Sequence, residues 1–369
     1  MKFIVTLMVC FCISAIFSSA AAQITDTTRQ ETSLETNRKS FSVAMDHYRK
    51  GEIEAAIIVL NRLLDSRYKP AFFALGKIYH EGKGIEQDYA MALSYFLGGA
   101  RLRSHACMEM LGGYFENGYG TEKDLNEAFR WYKRAAANPK MHIAQQRIGS
   151  FYFAGWGVEK DYREAMNWYL KAANSGNSEA AFNIGYMHKQ GLGVSQDYSE
   201  AIEWFEKAAN WGDNKALHYL AEMHELGLGV EMNMTSAVRA YMKACDAGHI
   251  PSILKLADLF YDGEKVPKNH KNAFILHETA AEKEDIIGML RVGELYENGE
   301  GVEQDFTAAA RWYKKASDLD YQHAQYRLAL LYIGGKGVDR NEQSGLELMR
   351  KAAKHGHEPA IAFLKDREN

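Results

Sequence analysis

Cysteine and proline are both rare in this sequence. Its 369 residues include four cysteines and five prolines. Cys10 and Cys12 lie in an apolar run at the N-terminus, so only Cys107 and Cys245 remain in the rest of the chain. Two cysteines do not suit a disulfide-stapled fold. The scarcity of proline is compatible with many uninterrupted helices, because proline breaks a helix interior.

The chain also has no surplus of positive charge. The formal net charge is −4 and the isoelectric point is about 6.4. Nucleic-acid-binding domains normally carry a basic face, so this balance argues against nucleic acid as a partner. Apolar residues make up 47% of the chain, which is enough for a packed interior.

The apolar run at the N-terminus, residues 3–17, is too short for a comfortable membrane span. Lys2 precedes it, and Ala20 and Ala22 form a cleavage pattern before Gln23. We therefore predict a signal peptide over residues 1–22, with an uncleaved anchor as the alternative. The expected protein is exported to the periplasm or secreted, with the endoplasmic-reticulum lumen as the alternative, and has no stable membrane span after cleavage.

One phrase recurs along the chain at a step of 36 residues, with a single step of 37. Its first copy consists of Leu75, Gly76, Tyr79, Gly82, Gly84, Asp88, Ala92 and Phe96. The closing glycine recurs at Gly84, Gly120, Gly157, Gly193, Gly229, Gly301 and Gly337, and Lys265 stands in its place once. A fixed period in this range predicts a solenoid of stacked repeats, none of which can bury its apolar face alone.

Each repeat is predicted to hold two helices, which we call helix A and helix B. Glycine ends helix A because it reaches the left-handed conformation cheaply. Helix B starts after a cap residue that can accept a hydrogen bond from the first turn. The cap residues are Asp88, Asp124, Asp161, Asp197, Asn233, Asn269, Asp305 and Asn341. Glutamates three residues later, Glu127, Glu164 and Glu200, predict capping boxes.

Most other recurring positions are predicted to pack in the core. Cys107 and Cys245 occupy alanine positions of other repeats, and nearly four repeat lengths separate them, so we expect two packed thiols and no internal disulfide bond. Intermolecular pairing or a reactive thiol is the alternative. Histidines replace recurring tyrosines, and we interpret them as hydrogen-bonded packing residues: His188, His224 and His277.

The flanks of the repeat array differ from the array itself. Residues 23–40 are polar and predict a flexible tether, and residues 41–69 predict N-terminal capping helices of the tetratricopeptide type. Eight repeats are predicted over residues 70–357, followed by a C-terminal capping helix and tail over 358–369. The sixth repeat, with Lys265 for glycine, is the most divergent, and we expect this junction either to bend the superhelix or to form a binding corner.

These motifs resemble the Sel1-like repeat, a longer-looped relative of the tetratricopeptide repeat. The likeness rests on the recurring phrase, on the 36-residue step and on the helix B pattern of residues 165–173. The resemblance implies an all-α fold, an α/α superhelical solenoid, in a non-enzymatic protein that holds other proteins together. It brings no shared catalytic residues. Few cysteines, and a single glycosylation sequon whose Asn233 is a helix cap, favour a bacterial origin over the eukaryotic lumen.

Candidate catalytic motifs are weak. Two Ser-x-x-Lys fragments, Ser66 to Lys69 and Ser252 to Lys255, match only part of a β-lactamase pattern. His218 and Glu222 could place two metal ligands on one helix face, but two ligands do not make a site. We predict no catalytic, cofactor-binding or metal-binding residues, and no small-molecule substrate.

A protein partner is predicted to bind the concave face, which helix A lines in the tetratricopeptide geometry. The exposed positions recur at i, i+4 and i+7 and form one stripe. They hold an aromatic patch of Phe153, Phe182 and Tyr186, together with Tyr261 and an acidic tract of Glu222, Glu225, Asp258, Glu294 and Glu297. The predicted partner segment is basic and apolar, and a merely solvated face is the alternative.

The main functional prediction is therefore an exported scaffold or adaptor. Reversing Glu222, Glu225 and Glu294 to lysine is expected to weaken partner capture while leaving the helices intact. The alternative is a bacterial secreted effector that acts in host-cell interaction or entry. The remaining hypothesis is a secreted hydrolase of the β-lactamase sort, and such an enzyme would need a nucleophile and a base close together.

Overall fold

The computed structural model describes residues 33–368, which form nineteen helices and no β-strand. The tandem helix-turn-helix arrangement confirms the predicted all-α solenoid fold class. The predicted signal peptide and residues 23–32 of the predicted tether lie outside the described residues. Two compact units divide the chain after Asn177.

The first unit is a stack of helices in which neighbours along the chain pack on each other. Its last six helices form three repeats, and each repeat holds one helix A followed by one helix B. The helices are α1 (33–49), α2 (Ile53–Asp65), α3 (Lys69–Glu81), α4 (Tyr89–Arg101), α5 (His105–Asn117), α6 (Leu125–Ala135), α7 (His142–Ala154) and α8 (Tyr162–Ala173).

The second unit continues the same pattern with five repeats and one final helix. Its helices are α9 (Ser178–Gln190), α10 (Tyr198–Asn210), α11 (Asn214–Leu226), α12 (Met234–Asp246), α13 (Ile250–Asp262), α14 (His270–Glu282), α15 (Ile286–Asn298), α16 (Phe306–Asp318), α17 (Gln322–Gly334), α18 (Glu342–Lys354) and α19 (Glu358–Glu368).

The closing glycine of a repeat lies against the start of the preceding helix B. At Gly120, with φ of +61°, an added Cβ would lie 2.6 Å from the carbonyl carbon and oxygen of Tyr89. Gly157 approaches the backbone of Leu125 in the same way. Only glycine combines this conformation with so close an approach, so the recurring glycine sets the spacing between repeats.

All eight cap residues accept a hydrogen bond from the first turn of helix B, as predicted. Asp124 Oδ1, for example, lies 3.0 Å from the backbone nitrogen of Glu127. The prediction of capping boxes is wrong, because the backbone N–H of Asp124 donates instead to the carbonyl of Phe115, at 2.8 Å. All eight cap residues make this bond to the carbonyl nine residues earlier, which leaves no free donor for a glutamate.

The prediction of a flexible tether is wrong for residues 33–40, which belong to α1. Polar composition suggested disorder, but this segment also favours a helix locally. Lys39 forms an ion pair with Glu35 one helical turn earlier, at 2.8 Å. Further along α1, Ala44 is fully buried in the core with Leu60 and Leu75, which anchors the helix to the rest of the unit.

Alternation of small and aromatic residues builds the core, as predicted. Gly112 lies beneath the ring of Tyr132, where an added Cβ would come within 2.5 Å. Cys107 is fully buried and Cys245 is partly exposed, and both are free thiols. Several tryptophans on helix B carry a cation over the indole, such as Lys315 at 3.9 Å from the ring centre of Trp312.

Candidate functional site

A buried pair of glutamate and tyrosine recurs within single repeats. The glutamate lies near the end of helix A, and the tyrosine of helix B, sixteen residues later, donates its hydroxyl to the carboxylate. Burial, together with the nearby carboxylate, raises the pKa of each tyrosine, which therefore remains a neutral donor. The pairs are Glu116 with Tyr132 at 2.8 Å, Glu225 with Tyr241 at 2.9 Å and Glu297 with Tyr313 at 2.6 Å.

A cation from the next repeat completes two of these pairs. Arg147 binds Glu116, and Lys255 lies 3.0 Å from Glu225. Lys265, which replaces the closing glycine of the sixth repeat, adds a second ammonium 2.7 Å from Glu225. Burial alone would raise the pKa of Glu225, but hydrogen bonds from Lys265, Lys255 and Tyr241 lower it below its usual value.

The predicted acidic tract is therefore wrong for three of its glutamates, whose carboxylates are bound within the fold. The side chain of Glu225 is only 1% exposed, so it is not available to a partner. Glu297 is partly buried and binds Tyr313, and Glu222 forms an ion pair with Lys189. Sequence spacing placed these residues on one stripe of helix A, but it did not show that other residues of the fold bind their carboxylates.

The remaining predicted residues Asp258, Tyr261 and Glu294 do come together. They line a cavity of about 210 Å³ on the helix A side of the sixth to eighth repeats. Helices α13, α14, α15 and α17 all contribute to it. The other lining residues are His277, Arg291, Leu295, Asn298, Glu300 and Arg327. The cavity therefore extends over the sixth to eighth repeats, and the binding corner at the sixth repeat stays a prediction.

Charges of both signs face this cavity. Glu294 accepts hydrogen bonds from Arg291 at 2.9 Å and from Arg327 at 3.4 Å. The Tyr261 hydroxyl donates to Glu300 at 2.8 Å. Asp258 is 51% exposed and is the acidic group most open to a ligand. Partial burial raises the pKa of Asp258, against the opposing effect of Arg291.

The arginines of the cavity were missed in the sequence, although a signal was present. A basic residue recurs in one register of helix A at Arg147, Lys255, Arg291 and Arg327. Three of these cations, Arg147, Lys255 and Arg327, follow a glutamate of the preceding repeat by 30 or 31 residues, whereas Tyr261 stands at that place before Arg291, so the period could have paired most of these charges. The predicted stripe comprises three other positions of helix A.

His277 forms the inner wall of the cavity. The residue is 2% exposed, and its Nδ1 atom is buried without a hydrogen-bond partner. Its Nε2 atom lies 3.8 Å from Asp258 Oδ1. The expectation of hydrogen-bonded packing histidines is wrong for Nδ1 here and in His188 and His224, whose buried Nδ1 atoms also have no partner.

We expect His277 to make the fold acid-sensitive. Burial first, and then the Arg291 charge, lower its pKa from 6.5 to about 4. The unfolded chain therefore binds the proton more tightly than the folded chain. The free energy of unfolding is highest above pH 6.5 and decreases by about 3 kcal/mol as the pH drops towards 4. Urea unfolding at several pH values should show a shallower acid dependence in His277→Leu than in the unchanged protein. Equal slopes in the two proteins would contradict this assignment.

The predicted aromatic residues lie in both units. In the second unit, Phe182 and Tyr186 both contact Tyr219, with ring centres 5.3 and 6.0 Å apart. In the first unit, Phe153 contacts Tyr162, with ring centres 5.3 Å apart. All three predicted aromatics are partly buried. A single patch that joins the three stays a prediction.

The candidate hydrolase and metal residues have other partners. Ser252 is fully buried, and its hydroxyl oxygen lies 3.0 Å from Nδ1 of His218 and 2.8 Å from Nδ1 of His249. Lys255 binds Glu225, as described above. His218 and Glu222 contact different partners, Ser252 and Lys189. A buried hydroxyl without exposed surface is poorly placed for nucleophilic attack on a substrate.

Among residues 33–368, no helix has both the length and the apolarity to cross a membrane. Within the same part of the chain, no three His, Cys, Asp or Glu side chains lie together as a set that could hold a metal ion.

Comparison with known families identifies the repeats. The model described as the Sel1 repeat matches eight consecutive segments of the chain, and together they cover most of its length. The segments are residues 71–102, 105–139, 142–177, 178–213, 214–249, 250–285, 286–321 and 322–357. This match confirms the predicted Sel1-like repeat. No curated protein is significantly similar to this chain.

Solved structures share this fold. One is a protective antigen present in uropathogenic Escherichia coli strains and displaying an SLR fold, with 31% identity and a TM-score of 0.67. The match covers 84% of this chain and 66% of that one, so this chain spans less than two thirds of its relative. Another is a Sel1 repeat protein from Oxalobacter formigenes, with 31% identity and a TM-score of 0.60, over 67% of this chain and 99% of that one.

Proposed function

Because this chain belongs to the Sel1 repeat family, whose members are generally protein-interaction scaffolds, we propose that it is a non-enzymatic scaffold. It holds a segment of a partner protein in the cavity on the helix A side of the sixth to eighth repeats. The observation that carries this proposal is the convergence of Asp258, Tyr261 and Glu294 with two arginines around one opening.

The lining of the cavity fits a polypeptide better than a single charged ion. Arg291 and Asn298 offer donors, while Asp258 and Glu300 offer acceptors. An extended peptide presents N–H and C=O groups in alternation, and both kinds need a partner when they leave water. Since Glu225 and Glu297 are bound within the fold, Asp258 is the acid that favours one basic residue in the partner segment.

The N-terminal apolar segment supports export as part of the same proposal. A scaffold in the periplasm or a secreted pool fits the scarcity of cysteine in this chain. A secreted effector that acts on a host cell is the second candidate, and it is favoured by the likeness to a protective antigen of uropathogenic E. coli. The buried hydroxyl of Ser252 argues against a hydrolase.

Reversing one charge in the cavity should separate binding from folding. We expect Asp258→Lys to reduce partner capture at least tenfold, because the change places a like charge against a basic partner residue. The measurement is affinity capture with the mature protein from its native compartment, with mass spectrometry of the bound proteins.

The matched control for this experiment is Asp262→Lys. Asp262 is an exposed residue one turn later on α13, and it does not line the cavity. This variant makes the same change in net charge on the same helix and should capture the partner normally. Equal capture by the two variants would remove the cavity from the proposal.

A further inference from the structure

A second opening lies on the helix B side of the fifth and sixth repeats. Its volume is about 230 Å³, and helices α12, α13 and α14 line it. The walls are mostly apolar, and the rim residues Met242 and Ile275 are 52% and 48% exposed. The residues that matter for the argument are Cys245, Leu256, Phe260 and Leu276. We call this opening the helix B groove.

The next repeat shows what normally fills such a groove. Trp312 stands 36 residues after Leu276, in the same register. It packs in one cluster with Ala281, Val292 and Tyr296, and these stand 36 residues after Cys245, Leu256 and Phe260 respectively. The walls of the groove thus correspond to the walls around Trp312. Because leucine is smaller than tryptophan, the space of an indole ring is left open.

The charges around the two sites also differ. Lys315 lies over the indole of Trp312, and Lys207 lies over that of Trp204, at 3.9 and 4.1 Å from the ring centres. The residue in this register after Leu276 is Thr279, so the groove lacks the covering cation. Asp246, an exposed acid, lines the groove, and Glu282 stands in the same register of the next repeat, so the difference between the sites is the missing cation. An occupant that replaces the indole is favoured if it brings a positive charge of its own.

We propose that the helix B groove binds a tryptophan side chain of a partner polypeptide, with a basic residue next to that tryptophan. The indole takes the place that Trp312 fills in the following repeat, and the basic residue pairs with Asp246. Tryptophan is a common anchor of protein interfaces because it buries a large area in one pocket. This interaction is independent of the helix A cavity, so either proposal can fail alone.

Cys245 provides a direct readout, since its thiol lines the groove. Burial and the Asp246 charge raise its pKa from 9.0 to about 11, so it reacts slowly with maleimides near neutral pH and faster as the pH rises towards 11. The probe is an acetylated five-residue peptide with tryptophan between two lysines. At millimolar concentration we expect it to slow the labelling of Cys245 at least threefold, as measured by mass spectrometry of the labelled protein.

The control peptide carries alanine in place of tryptophan and should not change the rate. Cys107, which is fully buried, serves as the internal reference for unfolding. Equal protection by the two peptides would overturn the proposal. If labelling of Cys245 slows as the protein concentration rises in the absence of peptide, the proposal is also overturned, because a second copy of this chain then covers the groove.

Filling the groove from within provides the second test. In Leu276→Trp, the new indole should occupy the groove, abolish protection by the peptide and raise the midpoint of thermal unfolding by about 2–4 °C. Leu348→Trp makes the same change in the same register of the eighth repeat and should leave protection unchanged. Full protection in a folded Leu276→Trp protein would overturn the proposal.

A rim variant keeps the test decisive if Leu276→Trp does not fold. Ile275→Ser alters an exposed side chain, so we expect little loss of stability but a reduction in peptide protection of at least threefold. Unchanged protection in this variant would place the peptide outside the groove and overturn the proposal.

Discussion

Replacing Gly120 with alanine is expected to lower the free energy of unfolding by about 3 kcal/mol. Two costs add at this position. The backbone has φ of +61°, which an alanine adopts only with strain. The new Cβ would also lie 2.6 Å from the carbonyl group of Tyr89, so the second repeat would have to move away from the first. Urea unfolding followed by circular dichroism measures the loss.

Gly176→Ala is the matched control in the same unit. Gly176 also has a positive φ, of +79°, but no atom lies within 4 Å of an added Cβ. We therefore expect only the conformational cost, about 1 kcal/mol. The difference between the two variants isolates the close approach between repeats. Equal losses would show that the recurring glycine serves its own turn and does not set the spacing.

Glu225→Lys should be similarly damaging, with a loss of about 4 kcal/mol in the free energy that holds the fifth and sixth repeats folded. The change removes the acceptor of the buried Tyr241 hydroxyl and leaves Lys255 and Lys265 next to a third ammonium. Hydrogen exchange of the amides in α11, α12 and α13 reports this loss locally, because these helices should open more often.

Asp258→Lys is the control for this second experiment. Asp258 is 51% exposed, so the same charge reversal should change stability by less than about 0.5 kcal/mol. If the amides of α11 to α13 exchange as slowly in Glu225→Lys as in the unchanged protein, the structural role of this carboxylate is contradicted. For the same reason, the triple reversal of Glu222, Glu225 and Glu294 is not a clean test of partner binding.

The period of the sequence determined the fold well. Gly82 and Gly118 end their helices in the left-handed conformation, and Asp88 and Asp124 cap the helices that follow, as the recurring phrase predicted. These features depend on local conformation, which each repeat expresses in the same way. The capping boxes failed because the competing hydrogen bond joins residues nine positions apart, and the propensities of the first turn of a helix contain no information about that bond.

The candidate site was harder to predict because it depends on contacts between repeats. Spacing placed Asp258 and Glu225 on one stripe, yet one is half exposed and the other is buried. The difference comes from Tyr241 and from Lys265, which lies forty residues away along the chain. The helix B groove was missed for a related reason, since Leu276 looks unremarkable until Trp312 is seen to fill the same place.

The hydrogen bond from each cap residue to the carbonyl nine residues earlier uses main-chain atoms only. Other loop side chains also hold the turn, since Val158 and Val302 pack against the core and Gln196 donates to the carbonyl of Lys189 at 2.9 Å. Short foreign sequences should consequently be accepted at the exposed loop positions between these anchors without displacing either helix. Within each unit, such grafts would display one binding epitope per repeat.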